Sequence, residues 1–89
     1  MARFDIPSAE MGQIAGSLPT ADTYFDLGLQ YSTGRMGGVD LVAAHKWFNI
    51  AAAKGSREAI AMRGEVACEM SAAEIAEAQR AARAFLALH

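Results

Sequence analysis

Three side chains in this sequence are soft enough to ligate a transition metal, His45, Cys68 and His89, and they stand far apart along the chain. Zinc sites draw ligands from pairs a few residues apart, so that one turn presents two donors at once. No such pair occurs, and neither a metal nor a cofactor is expected. Nucleophilic catalysis would need an arrangement such as Ser-x-x-Lys, which the chain also lacks. Gly34, Gly37 and Gly38 have the density of a phosphate-cradling loop, but no strand precedes them and no lysine follows the third glycine. Cys68 lies between Glu65 and Glu69, whose charges disfavour a thiolate, and reads as a small buried side chain. These residue types predict no catalytic site.

Composition narrows the function classes further. A formal charge of −2 with both signs intermixed lacks the dense positive field that phosphate contacts require, so nucleic acid is not expected as a partner. A single cysteine cannot form an internal disulfide, which fits a reducing compartment. The first twenty residues carry Arg3, Asp5, Pro7, Glu10 and Pro19, so neither a secretory signal nor a membrane span is visible. Arg80 and Arg83 beside Phe85, Leu86 and Leu88 are too few, and too opposed by Glu74 and Glu77, for a membrane-surface helix. A cytoplasmic location without membrane insertion is the expectation. The Met1 start and the absence of a tag-like tract add the expectation of a complete polypeptide.

The elements that would position any site are helical. A hydrophobic fraction of 53%, much of it alanine, with two prolines favours helix throughout. A short helix is expected from Ser8, carrying Met11 and Ile14, with Gly16 and Pro19 as its stop. From about Ala21 to Ser32, Tyr24, Leu27, Gly28 and Tyr31 fall at i, i+3, i+4 and i+7 and form a packing seam. Gly28 costs about 1 kcal/mol relative to alanine inside a helix, so its place there predicts close approach of a neighbour. After the glycine-rich stretch Asp40 can cap a second helix, with Ala44, Trp47, Phe48 and Ala51 on one face and Lys54–Gly55 at its end. A third helix is expected from Arg57 to Glu69. A fourth follows, opened by a Ser71–Glu74 capping box and buried along Ile75, Ala78, Ala82 and Phe85, with a Glu77–Arg80 ion pair outside. Trp47 is assigned to the core, and Trp47→Ala is expected not to fold.

Gly28 recurs as Gly64 (64 − 28 = 36), a period that marks a helix-turn-helix repeat and a protein-binding surface. With Leu27, Gly28, Tyr31, Gly34, Gly38, Val39, Asp40, Ala44, Trp47, Ala51, Ala52 and Gly55 in order, the stretch from about Thr23 to Ser56 resembles the Sel-one-like repeat family, relatives of tetratricopeptide repeats. The second unit is degraded: Arg63 stands for the leucine, Ala67 for the tyrosine, and the loop is shorter. The resemblance implies an all-α fold, a short right-handed α-solenoid of two helix-turn-helix repeats (21–56 complete, 57–89 degenerate and terminal) behind an N-terminal capping segment or short helix over 1–20. Arrays generally need about three units to bury their apolar stripes. The missing burial would come from the N-terminal segment as a cap, from homo-oligomerisation, or from a standing partner.

The same resemblance puts the first helix of each unit on a concave face, so that Asp22, Phe25, Leu29 and Thr33, then Glu58, Ala61, Glu65 and Cys68, are the candidate contacts to a protein or peptide. That face would be apolar at the Phe25 and Leu29 end, unless N-terminal residues cover it, and acidic at the other. A non-catalytic adaptor or accessory protein is the leading expectation. A permanent structural subunit of a larger complex is the alternative, and a small hydrolase is a third, because disulfide-rich relatives of the family are linked to β-lactams. Those relatives rely on paired cysteines that this chain lacks.

Overall fold

The computed structural model describes residues 18–35 and 37–89, which form four helices and no strand: α1 (Ala21–Thr33), α2 (Leu41–Ala53), α3 (Arg57–Ala67) and α4 (Ala72–Leu88). The helix expected from Ser8 lies outside the described residues. The other boundaries fall where local chemistry places them. Asp40 Oδ1 accepts from Ala43 N at 3.0 Å and opens α2. Ser71 Oγ accepts from Glu74 N while Glu74 Oε1 accepts from Ser71 N, the reciprocal pair that opens α4. Between α2 and α3 the chain turns within three residues. Gly55 sits at φ 112°, where a side chain would be strained, and Ser56 N donates back to Ala51 O at 2.9 Å. Ser56 is itself buried and caps α3 through Ala59 N.

The core forms around α2, the helix that packs against all three others. Phe48, Ile50, Ala44 and Ala51 are fully buried on it, joined by Tyr24 from α1, Ala59 and Val66 from α3 and Ala82 from α4. Alanine dominates because a short side chain lets helix axes approach, and Ala78 and Ala82 give α4 the same property. Gly28 performs the predicted role: a Cβ there would stand 2.5 Å from the Phe48 ring. A second cluster ties the outer edge. The Tyr24 and Trp47 rings are near-parallel at 5.9 Å, and Phe85 of α4 meets both edge-on, at 5.6 and 5.3 Å.

Three expectations are revised, and Gly64 differs from its counterpart Gly28. Trp47 is only half-buried at this edge, with the Lys46 ammonium 4.4 Å from its ring centroid, and Phe48 is the aromatic residue at the centre. Gly64 faces open space, so its recurrence at the Gly28 position carries no close approach. Gly64→Ala should therefore raise stability by about 0.5–1 kcal/mol, the ordinary helix gain, measured as a higher urea midpoint. Among the described residues the one salt bridge joins Asp26 and Arg35, at 3.6 Å, so the Glu77–Arg80 pair does not form. Finally, α3 ends at Ala67, and α3 and α4 do not pack along each other as α1 and α2 do. The apolar stripe of α3, Ala59, Met62 and Val66, is used against α2, and α4 returns onto α2 as well.

Candidate functional site

The eight candidate contact residues separate into two groups by burial. Asp22 and Thr33 of α1 are exposed, as are Glu58, Ala61 and Glu65 of α3. Phe25 and Leu29 are half-buried and packed on the core, with the Phe25 ring 5.7 Å from that of Phe48. The apolar end of the face is thus engaged in the fold's own packing. Of the exposed candidates, Asp22, Glu58 and Glu65 are acidic. Thr33 is also held locally, its hydroxyl donating to Leu29 O at 2.7 Å. Beside these, Asp26 on α1 accepts from Gln30 Nε2 of the same helix at 2.7 Å and pairs with Arg35, just past the helix end, so both partners of this carboxylate are local.

Cys68 corrects an expectation. It is exposed and free, and it caps the end of α3 instead of lying buried in mid-helix. Its position in the turn that follows explains the exposure: the apolar stripe of α3 has already ended at Val66. Among the described residues no three potential ligands gather into a metal site. No helix among them is long and apolar enough to cross a membrane.

One buried polar side chain stands on the face of α2 that is bonded to α3. His45 is 3% exposed, and its Nδ1 has no hydrogen-bond partner. One turn further along α2, Asn49 Oδ1 accepts from Arg63 Nη1 at 2.6 Å. Burial holds the His45 pKa below its ordinary 6.5 and the Arg63 charge lowers it further; the ring's own backbone carbonyl, outside hydrogen-bond geometry, raises it only in part. A signal for this cluster was present in the chain: Arg63 occupies a position where the repeat pattern asks for leucine. An arginine at a packing position requires a polar acceptor nearby, and Asn49 supplies it.

With the geometry in place, comparison with known proteins adds no family: no protein-family model matches the chain, and no curated protein or solved structure is significantly similar to it.

Proposed function

We propose that the chain is a non-catalytic protein-interaction module, a small adaptor that holds a partner segment on the exposed acidic side of α1 and α3. In this reading 21–56 is one complete Sel-one-like unit and 57–89 a degenerate terminal unit whose two helices pack on α2 instead of on each other. The observation that carries the proposal is the α1–α2 hairpin, locked by the Gly28–Phe48 contact at the position where the repeat resemblance asks for it. Asp22, Glu58 and Glu65 are exposed and free of salt bridges to described residues, so a segment bearing lysine or arginine is the complementary ligand. The function itself rests on analogy with the repeat family, since a fold does not determine a role.

Affinity capture from the native host, run in parallel with the wild type and a Glu58→Lys/Glu65→Lys variant, tests this. The expected result is a partner retained by the wild type, released by added salt and lost from the variant, with helicity equal in both. An identical, salt-insensitive partner set for the two proteins would remove α3 from the contact surface. Purification separates the alternative of a permanent structural subunit, which would aggregate without its companion where an adaptor stays monomeric.

A further inference from the structure

Among the described residues, His45 is the buried side chain that can gain a positive charge. It sits on α2, one turn before the Asn49 carbonyl that tethers Arg63 of α3 at 2.6 Å. The arginine therefore cannot swing away without breaking that bond, which keeps its charge on the helix face that His45 shares with Asn49. We propose that protonation of His45 releases α3 from α2, making this interface an acid-sensitive joint.

The neutral imidazole fits the site because it adds no charge beside the tethered guanidinium. The protonated ring would carry a buried Nδ1–H with no acceptor in hydrogen-bond reach, on the same face of α2 to which Asn49 holds the Arg63 guanidinium one turn away. Arg63 is the charged group that acts on His45 from α3, and no carboxylate or cation of α1 or α4 among the described residues offsets it. The element that yields is α3. It packs along α2 alone, touches α1 only marginally and does not pack along α4, and Ala59 and Val66 are its buried residues.

The sign follows from linkage. In the opened form His45 titrates near its ordinary 6.5, while the native value lies lower, so the opened form takes up the proton first as pH falls. Opening of α3 is thus independent of pH above about 6.5. Below that it grows about tenfold per pH unit until the native value is reached.

Amide hydrogen exchange on the full chain between pH 7.5 and pH 5, corrected for the intrinsic rate, tests the joint. The expected result is a progressive loss of protection in Arg57–Ala67 that begins near pH 6.5 while the α1–α2 hairpin stays protected. His45→Leu should abolish the dependence. Arg63→Gln should keep its onset and shorten its range, and His89→Gln should leave it unchanged. Protection of α3 that does not vary with pH, protection lost equally from all four helices, or a dependence that survives in His45→Leu would each overturn the proposal. Should His45→Leu not fold, the first two outcomes in the wild type still decide it.

Discussion

Phe48→Ala should leave the chain largely unfolded at room temperature. The Phe48 ring is fully buried, lies against the backbone of Gly28 and contacts the Phe25 ring at 5.7 Å. Truncating a buried phenylalanine costs about 3–5 kcal/mol, the transfer of the ring plus the cavity it leaves. Here the cavity cannot close by side-chain movement on one wall, because that wall is a glycine. A domain this small has a total stability of only about 5 kcal/mol, so the loss is of the same size as the whole. Far-UV circular dichroism of the variant should show a low, non-cooperative helical signal. A cooperative melt within a few degrees of the wild type would show that Phe48 is not the centre of the core. Trp47→Ala, by contrast, removes a half-buried ring from the edge cluster and should cost about 2–3 kcal/mol, leaving a folded but weaker domain.

Which of these two aromatic residues is central illustrates what the chain discloses and what it withholds. Trp47 and Phe48 are adjacent, so both lie within the stripe that periodicity assigns to the inside, and only the position of α1 decides between them. The ends of the helices were legible because capping is local chemistry: Asp40 with Ala43 N, and Ser71 with Glu74, meet within one turn whatever surrounds them. Gly28 was legible for a different reason, since a glycine inside a strong helical pattern is costly enough to need an explanation. At Gly64 the letter recurs without the neighbour. Long-range partners are what the sequence pattern does not encode. The departure of α3 and α4 from hairpin packing, and the gathering of His45, Asn49 and Arg63 across two helices, depend on where α2 meets α3. Of the candidate contact residues, Asp22, Glu58 and Glu65 are exposed, whereas Phe25 and Leu29 are half-buried and pack against the core, which depends on where α1 meets α2.

The hairpin's dependence on one absent side chain predicts a graded series at Gly28. Gly28→Ala gains about 1 kcal/mol of helix propensity but places its Cβ 2.5 Å from Phe48 Cδ1 and Cε1, well inside contact distance. These are atoms of a fully buried ring, not the end of a mobile chain, so the helices must separate or the ring must leave its rotamer. Overpacking of this kind costs about 1–3 kcal/mol, which outweighs the propensity gain and leaves Gly28→Ala less stable than the wild type. Gly28→Val adds a branched side chain to the same gap and should lose about 3 kcal/mol. Urea midpoints should fall in the order Gly, Ala, Val at position 28, while Gly64→Ala moves the opposite way in the same assay. The opposition between the two alanine variants isolates the contact from the helix. Both replace a glycine in a helix interior, and they differ in whether Phe48 stands across from it. If Gly28→Ala raised the midpoint as Gly64→Ala does, α1 and α2 would not be as close as the Gly28–Phe48 contact requires, and the hairpin that supports the interaction reading would lose its lock.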